Sequence, residues 1–305
     1  TVADTAGNAM TSTTLPAAES IFGTKTIVID TALPTVASFT TATATGSYNA
    51  LEEIVITANT SEAIQSGNTI VVTLDTGDAI TLTAASAGTT LVGTYTVSSS
   101  DTSAGLTVAS FTIGTVADTA GNAMTSTTLP AASSIFGTKT IVIDTTVPTG
   151  ALSYSTASPY KQGATATVTA TFTESLTTTP KIAISGVSSV AATVMSGSGT
   201  TWTYDYTAPA GNGTDTFAFS VGTDAAGNTV TAGPTSGSTV TVDNTAPTMI
   251  ITSTTAGVSD GSTTNDSSIA LTFTSSEATA NFIESDITVN NGNLSSFTAV
   301  STTKY

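Results

Sequence analysis

Apolar and polar residues alternate along short stretches of this chain with a period of two. Val168, Ala170 and Phe172 are separated by single threonines, and residues 202–206 repeat the pattern with aromatic side chains. This alternation is typical of a β-strand with one buried and one solvated face. Gly, Pro, Asn and Ser residues separate the stretches, and no helical period of useful length occurs. The pattern predicts an all-β fold.

Residues 148–246 contain seven such stretches. They lie near residues 150-156, 164-173, 179-185, 188-195, 200-207, 214-223 and 237-243. Seven short strands in a segment of this length are typical of a β-sandwich of the immunoglobulin-like (Ig-like) kind, in which two antiparallel sheets enclose one core.

A long internal repeat organises the chain. Residues 115–145 repeat residues 1–31 at an offset of 114, with Glu19 replaced by Ser133 as the single change. A looser copy begins with the sequence GTDAAGN at residues 222–228. A repeat of this length is too long for a solenoid unit and corresponds to a whole domain. The sequence therefore predicts a tandem array of domains.

Each copy of the D-x-A-G-N motif is followed by a β-rich segment that ends in Asp and then by a Pro-Thr pair. Because proline fixes φ and lacks an amide donor, Pro34, Pro148 and Pro247 should each end a strand and form a short, stiff connection. Stiff connections predict a rod. The predicted modules are the C-terminal part of a truncated domain (1-33), two complete domains (34-147 and 148-246) and the N-terminal part of another truncated domain (247-305).

The composition excludes several classes of function. There are 5 Lys+Arg against 21 Asp+Glu, giving a net charge of −16, and there is neither His nor Cys. A Ser-His-Asp triad, a thiolate nucleophile and a His/Cys zinc site are therefore excluded. Nucleic acids and anionic membrane surfaces should be repelled. No apolar run approaches the ~20 residues of a membrane helix. We expect no enzyme, no nucleic-acid partner and no direct membrane insertion.

Several motifs together resemble bacterial Ig-like domains. They are D-x-A-G-N, I-x-I-D-T-x-x-P-T, T-S-E at 60–62, F-T-E at 172–174 and the segment 270–300. Such domains occur in giant repetitive adhesins and other prokaryotic cell-surface proteins, and the resemblance covers nearly the whole chain. It implies an extracellular stalk or lattice protein at the cell surface, often stiffened by Ca²⁺ between its domains.

Acidic residues recur at one pole of each predicted module. In an Ig-like sandwich, the loops after strands B and F lie at the pole where the chain enters. Each module has an Asp in the incoming linker, a Glu after strand B and, where that loop is included, an Asp in the D-x-A-G-N loop with an Asn as an added oxygen donor. The candidate ligands are Asp30, Glu62, Asp118 and Asn122; Asp144, Glu174, Asp224 and Asn228; and Asp243 with Glu277.

Converging carboxylates without lysines among them repel one another, and a hard cation with oxygen ligands removes that repulsion. Ca²⁺ suits these sites better than Mg²⁺ because it accepts six to eight oxygens in irregular geometry. The alternative is that the motif aspartates form only Asx turns and that the linker acids are solvated. The sequence leaves both open.

Two further motifs have simpler explanations. The D-T-G sequence at 75–77 is found in aspartic proteases, but these need two such carboxylates, so a hairpin turn is favoured. Trp202, Tyr204 and Tyr206 could stack on sugars if exposed, although alternating aromatic residues usually belong to a core.

The leading functional hypothesis is a structural or adhesive segment: a rigid stalk, or part of a surface layer, sheath or filament, whose partners are neighbouring Ig-like domains of the same or identical chains. The alternative is a ligand-binding module of a surface adhesin that recognises a glycan or a protein through a loop tip or the aromatic strand.

Overall fold

The structure is a computed structural model that describes residues 2–12, 14 and 25–305 of the chain. These residues form eighteen β-strands and two single-turn 3₁₀ helices, Ala132–Ser134 and Glu284–Asp286, with no α-helix among them. All but one of the strand pairings are antiparallel. The prediction of an all-β fold is confirmed.

The chain divides into two compact units. The first comprises Thr1–Val147 together with Thr223–Thr229, and the second comprises Pro148–Gly222 together with Val230–Tyr305. Each unit is described by itself below. The finer division into four modules stays a prediction.

The first unit contains nine strands. They are β1 (Val36–Thr41), β2 (Gly46–Tyr48), β3 (Glu53–Ile64), β4 (Thr69–Leu74), β5 (Ala79–Thr83), β6 (Gly88–Thr96), β7 (Thr102–Ser103), β8 (Val108–Thr115) and β9 (Ile141–Asp144). Six of them form a sheet in the order β1-β3-β6-β5-β4-β8, which closes into a half-barrel, and the others form a sheet in the order β2-β9-β7.

Buried residues that alternate along the strands form the core of the first unit. In β3, Ile54, Ile56 and Ala58 are fully buried and the residues between them face outward or are half-buried. The short strand β9 pairs in parallel with β2 and antiparallel with β7, which buries Ile141 and Ile143 in the same core. Residues far apart in the sequence therefore complete one hydrophobic cluster.

The second unit begins with seven strands. They are β10 (Gly150–Tyr154), β11 (Thr165–Leu176), β12 (Lys181–Gly186), β13 (Ser189–Val194), β14 (Ser196–Thr207), β15 (Gly213–Ser220) and β16 (Thr239–Val242). They form two sheets, in the orders β10-β11-β14 and β13-β12-β15-β16, whose apolar faces share one core. All seven predicted strands are present.

Aromatic packing fills the core between these two sheets. The rings of Phe172 and Phe219 lie 4.9 Å apart between centroids. Trp202 belongs to the same cluster and is 7% exposed. It is therefore a core residue, as the alternating pattern of its strand predicts. A Cβ atom on Gly150 would lie 2.7 Å from a ring atom of Phe172 and of Phe219, so the close approach of β10 requires glycine there.

Two further strands follow in the second unit, β17 (Met249–Ser253) and β18 (Leu271–Ser275), which pair antiparallel with each other. The hydrogen bonds that begin this pair are the same as those that begin β10–β11. Thr149 donates its amide to the Thr173 hydroxyl and accepts the Thr173 amide. Thr248 does the same with Ser276.

Buried carboxylates inside both units are held by tyrosine. Tyr95 donates its hydroxyl to Asp101 at 2.6 Å, and Tyr206 donates to Asp215 at 2.8 Å. Asp215 is fully buried and also accepts the amide of Ser188 at 2.5 Å. A buried carboxylate without hydrogen-bond donors destabilises the folded state, and these tyrosine hydroxyls supply a donor to each one. The sequence pattern predicts neither pair.

Truncation of Phe172 should destabilise the second unit. Phe172 is 3% exposed, and Phe172→Ala would leave a cavity beside Phe219. We expect a loss of about 3–5 kcal/mol in the free energy of unfolding, measured by urea denaturation. Thr171→Ala, on the solvated face of the same strand, should change it by less than about 0.5 kcal/mol. Equal losses in the two variants would contradict the assigned core face.

Loss of the Tyr206 hydroxyl should lower stability and change its pH dependence. Burial, followed by the hydrogen bond to Asp215, raises the pKa of Tyr206 above its ordinary value of 10.0. A raised folded-state pKa gives stability that is present below pH 10 and is lost as the pH rises further. Tyr206→Phe should cost about 1–3 kcal/mol at neutral pH, because Asp215 loses a donor.

Thermal unfolding at neutral pH measures the loss of stability. Thermal unfolding above pH 10.0 measures the pH dependence, and the rise in pH should destabilise Tyr206→Phe less than the wild type. Tyr204→Phe is the matched control, since Tyr204 lies on the same strand and is only partly buried. A variant at Tyr206 that behaves like this control would contradict the role of the pair.

Candidate metal centre

The D-x-A-G-N motif forms a closed loop around its aspartate. Asp118 Oδ1 accepts the amides of Gly121 at 2.6 Å and Asn122 at 2.8 Å, and Asp118 Oδ2 accepts Asn122 Nδ2 at 2.8 Å. The Asp118 amide in turn donates to the Asn122 carbonyl at 3.0 Å. The motif thus specifies its own conformation, with glycine supplying a positive φ of 100° at residue 121.

All three copies of the motif adopt this conformation. Asp4 accepts the amides of Ala6 and Asn8 and the side-chain amide of Asn8, at 2.9 to 3.0 Å. Asp224 makes the corresponding bonds to Ala226 and Asn228. These local hydrogen bonds are those expected of an Asx turn. They orient the carboxylate of each aspartate in the absence of a ligand.

The motif asparagine also binds the preceding linker. Asn122 Nδ2 donates to the carbonyl of Asp30 at 3.1 Å, and Asn228 Nδ2 donates to the carbonyl of Asp144 at 2.9 Å. Both bonds lie inside the first unit. Each side-chain amide therefore joins a loop to a linker residue more than eighty positions away in the sequence.

The end of strand β3 brings a third carboxylate to this place. The Gln65 amide donates to the Ala117 carbonyl at 3.0 Å, and Gln65 Nε2 donates to the Asp118 carbonyl at 2.8 Å. These bonds fix the end of β3 against the motif loop. One carboxylate oxygen from each of Asp30, Glu62 and Asp118 then lies within 4.8 Å of the others. The structure brings together the three acids that the sequence groups.

The pKa values of Glu62 and Asp118 are shifted in opposite directions. Burial, followed by the charges of Asp30 and Asp118, raises the pKa of Glu62. For Asp118, burial raises the pKa, but the hydrogen bonds from Asn122, Gly121 and Ala120 together outweigh it and the pKa lies below its ordinary value. The hydrogen bonds therefore favour the charged form of Asp118, whereas burial and then repulsion disfavour the charged form of Glu62.

Three oxygens of this kind suit a hard cation. Asp118 is 1% exposed, Glu62 is half-buried and Asp30 is exposed, so a cation could enter from the linker side. Within the described part of the chain, Asp118 Oδ2 accepts one hydrogen bond, from Asn122 Nδ2. Because a carboxylate oxygen has two lone pairs, it keeps the capacity to bind a metal.

The Asn122 side-chain nitrogen is committed to Asp118 and Asp30, so any contribution to a cation would come from its carbonyl oxygen. The predicted role of Asn122 and Asn228 as ligands stays a prediction. Their observed role is to hold the linker.

The remaining candidate ligands lie in both units. Asp144, Asp224 and Asn228 belong to the first unit, where Asp224 is 3% exposed. Glu174 lies near the end of β11 in the second unit. Asp243 and Glu277 also belong to the second unit, and Glu277 Oε1 is buried with no hydrogen-bond partner in the described part of the chain.

Two alternative motifs have structural roles. The D-T-G sequence forms the turn between β4 and β5, as predicted, and Asp75 accepts the Ser103 hydroxyl at 2.7 Å and the Thr107 amide at 2.9 Å. Trp202 is buried, which leaves no exposed aromatic strip at residues 202–206 for sugar stacking.

Comparison with known proteins adds no identification. No helix in the described ranges is both long enough and apolar enough to cross a membrane. No family model matches the chain, and no curated protein is significantly similar to it.

Proposed function

We propose that this chain is an extracellular structural protein segment, built from tandem Ig-like modules that act as a rigid stalk or as part of a surface layer, sheath or filament. The observation that carries the proposal is the repeated junction. In two places a motif asparagine binds the carbonyl of a linker aspartate. A β-sandwich scaffold with a repeated, specific linker contact favours a mechanical role over a chemical one.

The sheet topology of the second unit supports Ig-like modules. In an Ig-like sandwich, strands A, B and E belong to one sheet and strands C, F and G to the other. The orders β10-β11-β14 and β13-β12-β15-β16 correspond to this partition when the strands are lettered A, B, C, C′, E, F and G along the chain. The three linker threonines, Thr35, Thr149 and Thr248, each begin a strand pair with the same hydrogen bonds.

We also propose that Ca²⁺ binds at Asp30, Glu62 and Asp118 and stiffens the linker. Asp30 belongs to the linker, whereas Glu62 and Asp118 belong to the strand end and loop that it enters. A cation shared by all three would oppose bending there and would offset both the burial and the repulsion that raise the pKa of Glu62. We extend the same role to the acids that recur at the later linkers.

A non-catalytic role fits the positions of the acidic residues. The carboxylates that converge do so at a linker and carry no neighbouring histidine or cysteine. The alternative of a glycan-binding module is not favoured, because the aromatic residues that suggested it contribute to the core. The acidic surface is suited to a hydrated location outside the cell, with neighbouring modules as partners.

Replacement of Asn122 should test the junction directly. Asn122→Ala removes a donor from both Asp118 and the Asp30 carbonyl, and we expect a loss of about 1–3 kcal/mol in the free energy of unfolding. Asn8→Ala is the matched control: Asn8 makes the same local bonds in an exposed loop. Urea denaturation of the dilute chain measures both. Equal effects in the two variants would contradict a role for the linker contact.

Removing the negative charge of Glu62 should stabilise the fold in the same way as a bound cation. Because its folded-state pKa is raised, protonated Glu62 favours folding below its ordinary value of 4.5, and this contribution is lost as the pH rises through the raised value. At neutral pH without divalent cations, Glu62→Gln should therefore raise Tm. Ca²⁺ should raise the Tm of the wild type and have a smaller effect on the variant, as measured by calorimetry.

Glu53→Gln is the matched control, because Glu53 lies exposed at the other end of the same strand. It should change neither Tm nor the response to Ca²⁺. Small-angle scattering of the same samples tests the stalk: Ca²⁺ should narrow the distribution of molecular dimensions in the wild type. A profile that is the same in Ca²⁺ and in excess chelator would refute cation stiffening.

A further inference from the structure

Strand β8 of the first unit has one open edge. It is the last strand of the six-stranded sheet and, among the described strands, pairs with β4 alone. Its register against β4 is regular over residues 110–113. Because alternate residues of a strand direct their backbone groups to opposite edges, half of these groups face away from β4. Within the described part of the chain, no hydrogen bond joins the backbone of Val108–Thr115 to a segment other than β4.

The corresponding edge of the second unit is covered. Counted from the motif aspartates, Phe217 and Phe219 of β15 correspond to Phe111 and Ile113 of β8. The amides of Phe217 and Phe219 donate to carbonyls of the returning segment 232–238, at 2.8 and 2.7 Å, and β16 continues the pairing. The amides of Phe111 and Ile113 are therefore the ones that face the open edge of β8.

The returning segment of the first unit takes another course. Met124 donates its amide to the Val116 carbonyl at 2.9 Å, just beyond the end of β8. The segment then reaches the opposite edge of the same sheet, where Phe136 donates its amide to the Phe39 carbonyl of β1 at 2.8 Å. Strand β8 lacks the neighbour that β15 has, because the part of the chain that could supply it pairs at the other edge.

A groove lies at the C-terminal end of the open edge. It has a volume of about 500 Å³ and is lined by residues that include Ile113, Val116 and Met124, together with the turn at residues 65–68. Ile113 is half-buried, so it can contact an apolar side chain placed in the groove. The edge thus offers backbone groups for a ladder and a place for a side chain. These two features give affinity and specificity in strand addition.

The charges around β8 indicate what kind of segment could bind. Strand β8 has no charged residue that would hinder strand addition. Asp75 accepts the amide of Thr107, directly before β8, and Asp118 lies in the loop that follows β8, beside Asp30 and Glu62. A second copy of the chain would bring the same acids and its own charge of −16 to this edge, whereas a cationic segment would be attracted.

We propose that the open edge of β8 binds an extended peptide segment of a partner protein by strand addition. The segment has apolar, β-branched residues at alternate positions and a lysine or arginine at each end. Its backbone pairs with Phe111 and Ile113, one apolar side chain enters the groove, and its cationic ends lie near Asp75 and Asp118. This inference goes beyond the structural role proposed above and does not depend on Ca²⁺.

Amide hydrogen exchange on the full chain, followed by NMR, tests the site. In the free protein, the amides of Phe111 and Ile113 should exchange faster than those of Phe217 and Phe219. The probe is the peptide KTVTVTVK with blocked termini, added with a chelator so that divalent cations do not screen the acids. At saturation it should slow exchange at Phe111 and Ile113 by about tenfold or more. The control peptide KTVPPTVK, whose adjacent prolines remove a donor from each edge, should not.

Two pairs of variants separate backbone pairing from charge, with binding measured by calorimetry. Ile113→Pro removes an outward donor at an edge position, where proline is tolerated, and should abolish binding, whereas Ile113→Val should bind the peptide as the wild type does. Asp75→Asn should weaken binding by up to about fivefold. Asp205→Asn, at an exposed position in the second unit, should not. With the peptide QTVTVTVQ, Asp75→Asn and the wild type should bind equally.

Several results would overturn the proposal. They are no binding of KTVTVTVK to the wild type, slowed exchange at other strand edges instead of at Phe111 and Ile113, and unchanged binding by Ile113→Pro. Light scattering tests the other occupant: a free chain of twice 30.1 kDa in which both amides are already protected would show that a second copy fills the edge. If Ile113→Pro does not fold, the exchange of these two amides in the wild type decides between the outcomes.

Discussion

A single side-chain amide joins segments that are 92 residues apart in the sequence. Asn122 Nδ2 donates to the carboxylate of its own loop and to the Asp30 carbonyl of the linker. The loop is closed by its own hydrogen bonds, so it holds the amide in a fixed direction toward the linker. The recurrence of this arrangement at Asn228 and Asp144 indicates that the repeat preserves a contact as well as a sequence. The position of the acidic cluster depends on that contact, since it brings Asp30 beside Asp118.

The scarcity of cations in this chain determines what the cluster can do. In a protein with more lysine, three carboxylates within 4.8 Å of one another would be neutralised by a neighbouring side chain. Here hydrogen bonds hold Asp118 charged, whereas burial, followed by repulsion from Asp30 and Asp118, raises the pKa of Glu62. In the function we propose, a diffusible cation is the partner of this site. The stiffness of the linker would then depend on the concentration of that cation.

Identical sequence does not imply an identical environment. The strand at 141–144 is buried because β2 and β7 provide edges on both sides of it, whereas the same residues at 27–30 are exposed. The backbone amides of a strand need hydrogen-bond partners and its apolar side chains need a surface to pack on, and neighbouring segments supply both. The environment of a segment therefore depends on its neighbours as well as on its own sequence.

The sequence by itself determined the strand content and the local loops of this protein. Alternation of Val168, Ala170 and Phe172 with threonine specifies which face is buried, and D-x-A-G-N encloses its own aspartate, because both features depend on neighbouring residues alone. The grouping of Asp30, Glu62 and Asp118 was also predictable, from the order of elements in a sandwich. Only the tertiary structure decided the rest. The contact between Tyr206 and Asp215 gave no periodic signal, because it joins strands of two different sheets. Asn122 binds the linker through its nitrogen, because folding packs its loop against a segment 92 residues away.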